Sequence, residues 1–171
     1  DLITGLITKP KIYVPQEHVK LFKNFTDSSR QLSSGDCTKM SKYPIIGVNP
    51  KEQIFLKDNW FVRIYQLFHS VPTCGYGLSQ KRKKLRPEFQ HLSGKEIANE
   101  RKKGTEIYNE IENPFLVYLC DTTEKCFEES PALLQYPYIM IECTFLHDKE
   151  LSLAQESQHC HWKTLEPYIH N

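Results

Sequence analysis

The chain has no apolar run long enough to span a bilayer and no leader-like opening, so nothing in it reads as a membrane segment or a secretory signal. An intracellular setting is therefore expected. Only seven glycines are spread over 171 residues, and none builds a glycine-rich loop that could cradle a phosphate. There is no internal repeat. The six cysteines contain no Cys-x-x-Cys pair, which excludes the usual zinc-finger spacings. A chain of this length does not need disulfides for stability, so reduced thiols are expected. The formal net charge is only +1, so overall charge points to no class of partner. Methionine is also absent from the first position, which is Asp1; the expectation is a segment of a longer gene product.

What the chain does have is one domain's worth of apolar runs separated by polar turns. Ile12–Val14 reads as a short strand closed by Pro15. Val19, Leu21, Phe22 and Phe25 recur at helical spacing, predicting a helix over Gln16–Leu32 that packs on a sheet. Ser33–Tyr43 is polar and loop-like. Three bursts, Pro44–Val48, Gln53–Leu56 and Trp60–Phe68, suggest a meander, and Gly75–Leu78 continues it. Pro114–Cys120 and Tyr136–Phe145 read as further buried strands. A short helix is expected over Phe127–Leu134, broken at Pro131. Asp148 is the expected N-cap of a helix over Lys149–Ser157, and Trp162–Ile169 begins another helix or turn. Strands alternate with helices, so the class is α/β or α+β.

Ser79–Gly104 differs from the rest. It carries nine Lys/Arg against three Glu, with few apolar residues and a short helix expected over Lys95–Lys103. Such a run is ordinarily a solvated excursion. It is also the footprint of an arm that grips phosphates, through Lys81, Arg82, Lys83, Lys84, Arg101, Lys102 and Lys103.

The chemistry-bearing residues sit where the apolar runs end. His69 follows Trp60–Phe68 and enters a Pro/Gly turn. Asp121 ends Pro114–Cys120. Glu142 lies in Tyr138–Phe145, with His159 and His161 downstream. Imidazoles and carboxylates suit zinc, and a catalytic site leaves one position for water. A carboxylate beside a histidine orients it and favours its protonated form, which makes a general acid. Each residue also has a plain structural explanation as a turn or cap residue. A structural zinc site from Cys120 and Cys126 with His159-Cys160-His161 is the competing assignment.

Taken in order, these stretches resemble the ribonuclease Z family, the tRNA 3′-end endonucleases of the metallo-β-lactamase fold. His69-Ser70-Val71-Pro72-Thr73-Cys74-Gly75-Tyr76 is similar to that family's H-x-(V/I)-P-S-x-G-Y. Cys120-Asp121-Thr122 is similar to its G-D-T, and Ile141-Glu142-Cys143-Thr144-Phe145 to its (H/E)-E-(A/S)-T-F. Ala154 followed by His159-Cys160-His161 is similar to its A-x-x-x-x-H-(S/T)-(T/H). DLITGL with KIYVP matches the family's opening more weakly.

The resemblance implies an αββα sandwich, only part of it in this chain and incomplete at both ends, with residues 79–104 as an inserted arm reaching the tRNA. It implies His69 and Asp121 as metal ligands, and Glu142 with His159 as the pair that handles a proton; His161 is the runner-up. Two zinc ions, with manganese as an alternative, precursor tRNA as substrate and a homodimer follow from the same resemblance. The family's H-x-H-x-D-H motif and its final histidine ligand are not in this sequence, so two of seven expected ligands are matched. The competing functions are another metal-dependent hydrolase of the same fold and a metal-free relative that binds RNA or a partner.

Overall fold

A computed structural model describes residues 10–38 and 43–169. The DLITGL stretch and residues 39–42 of the expected loop lie outside the described residues. Strand β1 (Ile12–Pro15) leads through a short 3₁₀ turn into helix α1 (Val19–Ser34), which ends at Gly35 with a left-handed φ of 65°. Strand β2 (Ile45–Val48) then returns parallel to β1. The meander begins one strand later than the sequence suggests. A parallel return needs a crossover, and α1 supplies it. Strand β3 (Gln53–Phe55) and β4 (Trp60–Gln66) form a hairpin whose central residues Asp58 and Asn59 have φ of 56° and 62°. Both residue types tolerate that backbone, which matches the right-handed twist of the flanking strands.

The main sheet has five strands in the order β3-β4-β5-β6-β7. Strand β5 is Cys74–Leu85, and β6 is Tyr108–Tyr118. Helix α2 (Gly94–Lys102) lies between them, started by a capping box of Ser93 and Glu96. Helix α3 (Lys125–Glu129) and a 3₁₀ turn from Pro131 lead to β7 (Tyr138–Met140). Helices α4 (Leu151–Ser157) and α5 (Trp162–Ile169) close the chain. Strands β3 to β6 are antiparallel in sequence, whereas β7 is parallel to β6. Hence β4, β6 and β7 run in one direction, and their carboxyl ends lie along one edge of the sheet. That edge is where His69, Asp121 and Glu142 leave the strands.

One face of the sheet, through Tyr65, Leu67, Val117 and Leu119, packs on Phe127, Leu133, Tyr136 and Leu165 to make the main core. Gly77 is required there because a Cβ would run into the Tyr136 hydroxyl. That hydroxyl lies 3.2 Å from the Tyr65 hydroxyl and 3.1 Å from Ser79 Oγ, so the buried polar groups satisfy one another. On the opposite face, Val48 packs against Ile64 and Cys74.

Helix α1 departs from expectation. Leu21, Phe25 and Leu32 are 64%, 66% and 86% exposed, and the buried residue of the helix is Asp27, so much of its apolar stripe is left uncovered among the described residues. Two further corrections concern boundaries. The third core strand ends at Met140, not Phe145, because the Glu142 carboxylate accepts from the Thr144 N–H at 2.8 Å and turns the chain out of the ladder. The turn before α4 is capped by His147, whose N–H donates to Glu150, so Asp148 is inside it rather than its cap. Among the described residues no helix is long and apolar enough to cross a membrane.

Candidate active site

The three strand ends meet. One donor atom from each of His69, Asp121 and His159 can be chosen so that all lie within 4.8 Å of one another. The two imidazoles are half-buried and the aspartate is exposed. Their rings are 4.7 Å apart between centroids and tilted by 65°.

Each imidazole is held from behind through Nδ1. His69 Nδ1 lies 3.0 Å from the backbone carbonyl of Gln158, an acceptor only, so Nδ1 carries the proton. Nε2 keeps its lone pair, and Ser70 Oγ lies 3.4 Å from it. His159 Nδ1 lies 2.9 Å from Glu142 Oε1. Its Nε2 is again the free nitrogen. Asp121 makes no hydrogen bond or ion pair among the described residues, so both its oxygens remain open to a ligand. His69 and Asp121 offer an imidazole nitrogen and a carboxylate that suit zinc or manganese, and His159 Nε2 beside them is open either to a metal or to a proton.

Glu142 is the hub. Oε1 accepts from His159 Nδ1 and from the Cys160 N–H, both at 2.9 Å, and Oε2 accepts from the Thr144 N–H and hydroxyl, both at 2.8 Å. Burial pushes its pKa up, but the donors from Cys160, Thr144 and His159 outweigh this, and the carboxyl is held below its ordinary value. With its oxygens already claimed, Glu142 is suited to orienting His159 rather than to binding a metal itself.

His161 takes no part. It is 1% exposed, and its Nδ1 accepts from the Lys163 N–H at 3.0 Å while Nε2–H donates to the His147 carbonyl at 3.0 Å. That is the geometry of an N-cap for α5. The runner-up is thus a structural histidine. The cysteine assignment also falls. All six thiols are free, Cys126 is pushed up to about 12 by burial, and Cys160 is likewise raised by burial and donates to the Thr122 carbonyl at 3.1 Å. Among the described residues the cluster of side chains close enough to share a metal is His69, Asp121 and His159, and it includes no cysteine.

Two contributors were not evident from the sequence. Thr122 is fully buried, and its hydroxyl accepts from the Phe68 N–H at 3.1 Å, tying the turn before His69 to the strand end that carries Asp121. The DTT triplet was a visible sign of it. The Gln158 carbonyl left no sign, because a backbone group has no residue type.

The basic residues divide. Lys81 pairs with Glu110 at 2.9 Å and sits over the Phe55 ring; Arg82 bonds Gln80, and Lys103 pairs with Glu100 at 2.8 Å. Lys83 and Arg101 line an open groove of about 640 Å³ with Thr105 and Tyr108. Lys84 and Lys102 enter no ion pair among the described residues. Residues 81–85 of β5 extend past β4 and pair with β6 alone, so this segment rises from the sheet as a two-stranded ribbon.

No family model matches the chain. It is similar to tRNase Z TRZ1 of Arabidopsis thaliana, at 27% identity over 89% of this chain and 54% of that protein. It is similar to the chloroplastic tRNase Z TRZ2 of the same plant, at 28% identity over 89% of this chain and 43% of that protein. A nuclear ribonuclease Z of Triticum aestivum is 24% identical over 60% of this chain and 56% of that protein. The chain spans about half the length of the curated relatives it matches. These similarities agree with the motif resemblance to the ribonuclease Z family.

Proposed function

We propose that the protein is a metal-dependent endoribonuclease that cuts precursor tRNA on its 3′ side. The observation that carries this reading is the convergence of His69, Asp121 and His159 within 4.8 Å, with the Glu142 carboxylate 2.9 Å behind His159. The similarity to tRNase Z proteins supports the choice of substrate. His69 and Asp121 would hold the metal, with zinc expected and manganese the alternative. When bound, the metal supplies an activated water and offsets charge on the phosphodiester. A second ion, which the family resemblance implies, needs donors beyond this constellation.

His159 delivers a proton to the departing 3′ oxygen from Nε2. Glu142 holds Nδ1, fixes the ring and balances the imidazolium charge. The segment 79–104 reaches the tRNA body, with Lys83, Lys84, Arg101 and Lys102 as its uncommitted cations. The chain forms part of an αββα sandwich and works as a homodimer. The sandwich is supported by the second sheet face, where β1 and β2 cover Ile64 and Cys74 while Phe115, Tyr118, Tyr138 and Met140 stay 43–60% exposed.

Cleavage of precursor tRNA by the intact protein with zinc or manganese, beside Asp121→Ala, tests the reading. Cleavage that depends on metal and disappears in Asp121→Ala supports it. Undiminished cleavage by Asp121→Ala overturns it.

A further inference from the structure

Helix α4 ends in an unusual way. Gln158 has φ 58° and ψ 46°, the left-handed conformation that closes many helices and that glycine ordinarily occupies. The His159 N–H returns to the Ala154 carbonyl at 3.0 Å, as this type of helix ending requires. An L-residue with a Cβ is held here at a cost to stability. The Gln158 side chain is exposed, and it makes no hydrogen bond among the described residues. What the turn accomplishes is done by its backbone. It points the Gln158 carbonyl across to His69 Nδ1, 3.0 Å away and 89 positions earlier in the chain.

We infer that the left-handed turn at Gln158 is a positioning device that fixes the tautomer of His69. A carbonyl accepts only, so it selects the Nδ1–H form and leaves the Nε2 lone pair free. The same turn sets the direction of His159, the next residue. One backbone conformation therefore aims both imidazoles, and the segment bearing the proton-handling histidine also orients the metal-binding one. This deepens the reading of His69 as a metal ligand and rests on it. Its contribution acts through His69, so Gln158 is a positioning residue and touches no reacting atom.

The test reads the tautomer directly. Imidazole nitrogen chemical shifts of metal-free intact protein, at a pH where His69 is neutral, are expected to show a single Nδ1–H form. Gln158→Gly and Gln158→Asn, which accept left-handed backbone, are expected to keep it. Gln158→Val, whose branched Cβ resists that conformation, is expected to lose the single form and to bind zinc about ten- to a hundredfold more weakly. An Nε2–H or mixed His69 in the native protein overturns the inference, as does a folded Gln158→Val that keeps the Nδ1–H form. If Gln158→Val does not fold, the native tautomer together with Gln158→Gly decides. A native Nδ1–H form in a protein that leaves precursor tRNA uncut supports this inference while removing the proposed function.

Discussion

Replacing Glu142 by glutamine removes one charge and almost no volume, so its effect separates orientation from packing. Four close donors meet the carboxylate: His159 Nδ1 and the Cys160 N–H on one oxygen, the Thr144 N–H and hydroxyl on the other. An amide has one oxygen, so its NH₂ must face one pair. Thr144 is exposed and its groups can turn to water, whereas Cys160 is fully buried. The NH₂ therefore goes toward Thr144, and the oxygen stays on His159. The loss of two charge-assisted bonds at a partly wet site costs about 1–2 kcal/mol of stability. The larger effect is on chemistry. A neutral amide still orients the ring but no longer balances the imidazolium, and general acid catalysis is worth about 10²–10⁴-fold. Single-turnover cleavage of precursor tRNA by Glu142→Gln is expected to fall about 10²-fold, with KM and zinc content nearly unchanged. Because Glu142 acts through His159, the double variant Glu142→Gln/His159→Ala should be no slower than His159→Ala alone. A folded Glu142→Gln that cleaves at the native rate, or a double variant whose losses multiply, refutes the coupling.

Three other outcomes follow from the same geometry. His161→Leu should lower stability by about 2–3 kcal/mol through the lost cap and an unpaired His147 carbonyl, and leave zinc affinity alone; a urea titration and metal analysis read both. Glu142 has its pKa lowered by folding, so the unfolded chain takes up that proton first on acidification. Its contribution is full above about pH 4.5 and lost as pH falls through the lower folded value, so the urea midpoint should fall more steeply with acid in the native protein than in Glu142→Gln. Equal slopes would contradict the hydrogen-bond count. Finally, Lys83→Ala with Arg101→Ala should weaken tRNA binding and reduce its salt slope by about 1–2, whereas Lys81→Ala should mainly cost stability, since its ammonium is already committed to Glu110. An unchanged salt slope in the Lys83/Arg101 variant would remove the arm from the interface.

How far the sequence carries depends on what each residue answers to. Trp60–Gln66 and the second half of β6 were legible because their core-facing side chains are buried, and burial demands apolar residues whatever the partner. The basic half of β5 was not. Gln80–Leu85 has the composition of a loop, and it is a strand because β6 sets acids and polar groups opposite, as in Lys81 beside Glu110. Strand β2 was legible as a strand but not as the partner of β1, because parallel pairing is decided by a crossover rather than by either strand's own pattern.

The site follows the same division. His69, Asp121 and Glu142 could be singled out because each ends an apolar run, and co-directed strands bring such ends together. His159 and His161 could not be told apart by spacing, since they differ by two positions in a segment without a regular period. What separates them is partner geometry. One ring has a carboxylate behind it and a free nitrogen ahead, while the other spends both nitrogens on backbone groups. A histidine with both nitrogens committed to the backbone cannot coordinate a metal or pass a proton without first breaking its own fold. The free nitrogen, not the residue type, is therefore what marks a functional imidazole here, and backbone groups such as the Gln158 carbonyl decide which nitrogen that is.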